Sequence, residues 1–481
     1  MFDVIVLGGG PAGVTAALRA RELGASVALV ERDRMGGTCT NDGCVPTRVL
    51  AKAARLLRDH QQYADYGLHS PPPVPDFSQL INRTQQIVYS IHEKKQLMNV
   101  LEEAGVAVHA GVGQADFLDP HTILLPDGRR LEADKFILCI GGHAARLKFP
   151  GSEHAITHSD VWSLRKLPAS VAIIGAAATG CQLASIFDAF GSSVTLLEMA
   201  PTVLPREDHS TSEWVGNAFM TRGIQVVTGI DGVDRIEKQP QALDVHFSIE
   251  GRQEVVSVET VVMATGWPGN LNGLDLSIPG VEVERGYIQV DDQFKTTAAH
   301  IWAAGDITGR TMLVQSAGHE ARVAAENAVL GQRHEHNHYI VPHGGFTDPE
   351  YGSVGLTEAQ AAQAGSYLAT LVPFSELDRA VIDGHPVGFC KLIIDKDTHK
   401  ILGAHVVGEQ ALETIHLVAA GMAADIGVEQ LADLEIAYPT YAAVVGLAAR
   451  KLVRELGLMA LSPQWRTLRK QHISEWERTD R

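Results

Sequence analysis

Two stretches of this chain share one pattern of apolar and polar positions. "FDVIVLGGGPAGVTAALRARELGASVALVE" opens on a short apolar run, breaks at glycines, continues rich in Ala and Leu, and closes on a second apolar run ending in Glu31. The pattern predicts strand, glycine turn, helix and strand. "SVAIIGAAATGCQLASIFDAFGSSVTLLE" repeats it and ends in Glu198. The acid stands equally far from the first glycine in both copies, Gly8 to Glu31 and Gly175 to Glu198.

The turns fit GxGxxG, with Gly8, Gly10 and Gly13 in the first copy and Gly175, Ala177 and Gly180 in the second. The first glycine permits the turn, the second lets backbone N–H groups approach a pyrophosphate, and the third brings helix close to strand. A helix N-terminus then faces the phosphates, and the acid accepts hydrogen bonds from a ribose. One such turn is a weak signal; the repeat points to two dinucleotide sites. Ala177 adds a methyl where backbone meets phosphate. Glu198 would repel a ribose 2′-phosphate, and the following "MAPTVLP" supplies no cation before Arg206, which favours NADH over NADPH.

Between the copies lies "GGTCTNDGCVPTR", with Cys39 and Cys44 four residues apart. Alone, this spacing suits a redox pair, a metal site or packing. At 481 residues the chain needs two to four domains, and its 45% hydrophobic residues suffice for packed interiors. A net charge of −17 argues against nucleic acid or anionic lipid as partner. The chain opens directly on a strand, so no signal peptide is expected. Apolar stretches such as "HLVAAGMAADIGV" are too short for a membrane span. Five cysteines are too few for a secreted disulfide scaffold, which suggests a cytoplasmic location.

With "GGTCTNDGCVP", "IWAAGD", "GGFTDPEYGSVGLTEAQA" and "GFCKLIIDKDTHKILGAHVVGEQALETIHL" added, the chain resembles the class I pyridine nucleotide–disulfide oxidoreductases. That family includes glutathione reductase, lipoamide dehydrogenase and mercuric reductase. The resemblance implies an α/β fold with two Rossmann-like dinucleotide-binding domains and a C-terminal α+β dimerisation domain. It places an FAD-binding domain at 1–148 and 271–341, an NAD(P)-binding domain at 149–270, a dimerisation domain at 342–460 and a tail at 461–481. FAD would rest on Gly8, Gly10, Gly13, Glu31, Gly37, Thr38, Arg48, Asp306 and Leu313. NAD(P) would rest on Gly175, Ala177, Gly180, Gln182, Glu198 and Gly266. Cys44 would lie against the flavin and Cys39 would face a small-molecule disulfide, with a following helix turn lowering both thiol pKa values. The other three cysteines are expected in the core. The implied assembly is a homodimer.

The departures from that pattern carry information. In "EIAYPTYAAVVG", Tyr438 stands where relatives place an acid–base histidine, and Ala443 where they place its glutamate. A phenol donates a hydrogen bond near neutral pH but is a poor base. Acceptors needing no proton relay, such as dyes, quinones or metal ions, are therefore the alternative. Mercuric reductases place a tyrosine nearby but usually carry a C-terminal cysteine pair that "LRKQHISEWERTDR" lacks. Arg48 replaces the lysine near the flavin and Gln182 replaces its glutamate partner, a lost counter-charge expected to raise the flavin potential. Ala178 replaces a gating tyrosine, leaving the nicotinamide pocket more open. His334, His336 and His338 are expected to form a solvated connector, and Trp465, Leu468, Ile473 and Trp476 a helical apolar stripe in the tail.

Overall fold

The computed structural model describes residues 1–331 and 340–458. The histidines at 334, 336 and 338 and the tail's apolar stripe therefore lie outside the described residues.

Three sheets organise the chain. The first runs Ala107–Ala110, Val27–Glu31, Phe2–Leu7 and Arg130–Leu138 in parallel, then Thr122–Leu124 and Asp116–Asp119 antiparallel. "FDVIVL" is apolar without alternation because Val4, Ile5, Val6 and Leu7 are all buried, as befits a parallel strand covered on both faces. Strand Ile301–Ala303 returns to this sheet, pairing with Arg130–Leu138.

The second sheet is parallel throughout, in the order Gln225–Thr228, Ser193–Glu198, Ser170–Ile174, Thr260–Met263 and Ile156–Thr157. A meander of Gly232–Lys238, Leu243–Ile249 and Arg252–Val258 packs beside it. The third sheet is antiparallel: His343–Gly345, Tyr351–Gly355, Ile401–Val407, Phe389–Asp395 and Tyr367–Pro373. Helices Ala411–Ala423, Val428–Asp433 and Ala443–Glu455 share its core. Among the described residues no helix is long and apolar enough to cross a membrane.

Helix Cys44–His60 ties these parts together. Its apolar side buries Pro46, Leu50 and Ala51, and helix packing against Ala178–Ala189 joins it to the second sheet. Another face carries Arg48, Arg55 and Arg58, close to whole turns apart. Arg48 and Arg55 each reach Glu350 at 3.0 Å, and Arg58 reaches Asp348 at 3.0 Å and Glu409 at 2.9 Å. Glu350 is only 2% exposed, so its removal leaves two guanidinium groups beside a vacated pocket. Glu350→Ala should cost about 3 kcal/mol of stability, measured as a lower denaturant midpoint at unchanged slope.

Candidate active site

The two glycine turns repeat each other in atomic detail. Gly8 has φ +107° and Gly175 φ +100°, so both turns need a residue without a side chain. A Cβ on Gly13 would sit 1.7 Å from Gly8 O, and one on Gly180 would sit 1.8 Å from Gly175 O. These third glycines thus seat helix on strand rather than lining the cavity. Glu31 accepts hydrogen bonds from Gly9 N (2.6 Å) and Asp33 N (2.8 Å). Glu198 accepts from Ala176 N (2.6 Å) and Ala200 N (2.8 Å). Each carboxylate is fixed at its strand end by its own turn.

Both turns open into one cavity of about 1960 Å³. Its wall includes Gly8, Gly10, Glu31, Gly37, Thr38, Cys39, Cys44, Asp306 and Leu313 on one side, and Gly175, Ala177, Ala178, Gln182, Glu198 and Gly266 on the other. Gly10 and Gly37 face one another so closely that a Cβ on Gly37 would lie 2.8 Å from Gly10 Cα. Two bare backbone segments meeting at a helix N-terminus form a cradle suited to a pyrophosphate. Thr265 Oγ1, also on the wall, is buried with no hydrogen-bond partner in the protein. These features fit a flavin dinucleotide on the first turn and a nicotinamide dinucleotide on the second.

Cys39 sits in the short helix Gly37–Asn41, and Cys44 is the first residue of helix Cys44–His60. The Cys39 thiol donates a hydrogen bond to the Cys44 sulfur, which with the helix-opening N–H of Cys44 lowers the Cys44 pKa to about 7 against the effect of burial. The same shared proton, with burial and the neighbouring charge, raises Cys39. The expectation that both thiols would be acidified is corrected: only Cys44 is. Cys139, Cys181 and Cys390 are buried, as expected, and burial raises all three thiols.

Arg48 is not on the cavity wall. Its guanidinium lies over the Phe346 ring, 4.6 Å from the centroid, and pairs with Glu350. The counter-charge expected to be missing at Gln182 is supplied by Glu350, so the argument for a raised flavin potential loses its premise. Gln182 instead accepts from Phe346 N at 3.0 Å. Tyr438 also lies off the wall of its own chain; it is 56% exposed and its hydroxyl donates to Asp378 Oδ2 at 2.6 Å.

Sequence reasoning missed several wall residues. Trp267 donates from Nε1 to Asp306 Oδ2 at 2.9 Å, and burial raises the Asp306 pKa. Asp42, inside the cysteine loop, accepts from Ser159 Oγ (2.7 Å) and, at its carbonyl, from Trp162 Nε1 (2.7 Å). His158 beside them is buried, which lowers its pKa and keeps the imidazole neutral. Position 267, directly after "ATG", was the one of these that a motif could have marked.

Fold and cavity together define a protein that brings two dinucleotide sites to a dithiol. Comparison with known proteins agrees. The family model "Pyridine nucleotide-disulphide oxidoreductase" matches residues 2–321, and that family's dimerisation domain matches 341–449. Mercuric reductase from Bacillus cereus is 32% identical over 451 residues, spanning 93% of this chain and 71% of that protein. Dihydrolipoyl dehydrogenase from Zymomonas mobilis is 33% identical over 423 residues, spanning 86% and 90%. The solved HOCl-induced flavoprotein disulfide reductase RclA from Escherichia coli superposes with TM-score 0.82 at 26% identity, covering 93% of this chain and 99% of that one. The chain belongs to the pyridine nucleotide-disulphide oxidoreductase family, whose members are FAD-dependent enzymes that use pyridine nucleotides.

An ultraviolet titration of the reduced protein should show thiolate absorbance appearing as pH rises through about 7, a transition that Cys44→Ser removes. A first thiolate appearing only near the ordinary thiol pKa would contradict the shared-proton geometry.

Proposed function

We propose that this enzyme uses NAD(P)H to reduce the Cys39–Cys44 disulfide and passes both electrons to a small-molecule disulfide. The opening of both glycine turns and both cysteines into one cavity carries this reading. FAD held at Gly8, Gly10, Glu31, Gly37, Thr38, Asp306 and Leu313 supplies the two-electron relay between nucleotide and dithiol. The net reaction is NAD(P)H + H⁺ + RSSR → NAD(P)⁺ + 2 RSH.

The protein's own part is thiol exchange. As the Cys39 sulfur attacks the external disulfide, its proton passes to the Cys44 thiolate, one RS⁻ leaves and a mixed disulfide forms. Cys44, deprotonated again, attacks the Cys39 sulfur, releases the second RS⁻ and restores the internal disulfide. The first leaving thiolate takes up the proton that Cys44 gives up, and the second takes the solvent proton of the net reaction.

Glu198 favours NADH; Arg206, on the same wall and without an ion pair among the described residues, is the cation that would favour a 2′-phosphate. The reading takes the domain limits anticipated above, a cytoplasmic setting, and a homodimer in which Tyr438 serves the other subunit's dithiol. The dimerisation-domain match supports the homodimer. Tyr438 in place of histidine favours a second reading, reduction of dyes, quinones or metal ions at the flavin.

Assays with NADH and with NADPH separate these readings. Cys44→Ser should abolish disulfide reduction while dye reduction persists; loss of both, with flavin still bound, would refute the relay. Tyr438→His should raise disulfide turnover at neutral pH severalfold, since an imidazole titrates there. No gain would count against a missing base.

A further inference from the structure

The last turn of helix Phe77–Lys95 grips the cysteine loop. His92 and Lys95, three residues apart, share a helix face. Lys95 Nζ donates to Thr40 Oγ1 at 3.0 Å, and His92 Nε2 lies 2.7 Å from Asn41 Oδ1. Asn41 Nδ2 donates to Met35 O, so Oδ1 faces His92 and His92 Nε2 carries the proton. Thr40 is fully buried and directly follows Cys39. A helix C-terminus presents partial negative charge, which disfavours a nearby thiolate; a cation at that end reverses the sign.

The other charged and titratable groups around the sulfurs do not provide that cation. Asp306 opposes ionisation of Cys44, and Asp42 is an acid bonded to Ser159 Oγ. Burial lowers the pKa of both His158 and His92, which disfavours their cationic forms. Arg48 is paired with Glu350, and Arg34 bears on His92; the cation that bears on both sulfurs is Lys95. Lys95 is exposed and forms no ion pair among the described residues.

We propose that Lys95 supplies the positive charge that keeps the reduced Cys39–Cys44 pair ionised, in a chain with no histidine at position 438. The proposal rests on the redox-pair reading above. Lys95 favours ionisation of both sulfurs, against the burial that suppresses it. It acts through space and through the loop it holds, touching no reacting atom, so it is a positioning residue. Because the ammonium is exposed, its effect is screened by salt.

The test uses holoenzyme reduced anaerobically with dithionite and alkylated with iodoacetamide, an uncharged probe that Lys95 cannot steer, with Cys39 and Cys44 resolved by peptide mass. Lys95→Met should move the alkylation midpoint to higher pH and slow the reaction about threefold on the acid side of that midpoint. Lys95→Arg should keep the wild-type midpoint. About 1 M salt should bring wild type toward Lys95→Met and leave that variant unchanged. An unchanged midpoint in Lys95→Met, with the Cys39–Cys44 disulfide still forming on reoxidation, overturns the role of Lys95 alone. Failure of wild type to form that disulfide overturns the redox-pair reading, and this proposal with it.

Discussion

The arginine contacts of helix Cys44–His60 are the constraint on which the site's geometry depends. One end of that helix carries a thiol of the cavity; its flank is anchored to acids in loops at the ends of the third sheet's strands, Glu350, Asp348 and Glu409. Arg222, at the end of a helix beside the second sheet, also reaches Asp348, at 2.5 Å, so one carboxylate joins three parts of the chain. The sulfur position is therefore set by elements far from the glycine turns. A burial this complete around Glu350 makes the joint costly to loosen.

Much of this was legible in the sequence because it is written locally. Apolar runs without alternation marked the parallel strands, and the glycine spacing marked turns whose first and third positions leave no room for a Cβ. Glu31 and Glu198 could be named because each is bonded to its own turn, within a single strand–helix–strand unit. The three core cysteines could be recognised by their lack of partners.

What stayed hidden lies in contacts between distant segments. Arg48 and Glu350 are separated by 302 residues, so the counter-charge read as lost at Gln182 lies instead in a distant loop. Trp267 meets Asp306, and Ser159 meets Asp42, only once the sheets have packed. The thiols illustrate a different limit. A helix N-terminus acidifies the sulfur at its start, but two sulfurs sharing a proton titrate as a pair, and one is raised as the other falls.

The matched hydrogen bonds at Glu31 and Glu198 have a structural implication. Each latch joins the second strand of its unit to the turn after the first, with the same donors counted from the acid and the same lengths. Such concordance is what a duplicated module retains when its copies drift apart elsewhere. The difference between the halves must then come from their surroundings, a cysteine-bearing loop beside one and Ala177 and Ala178 on the wall beside the other, with the latch itself serving as interchangeable hardware.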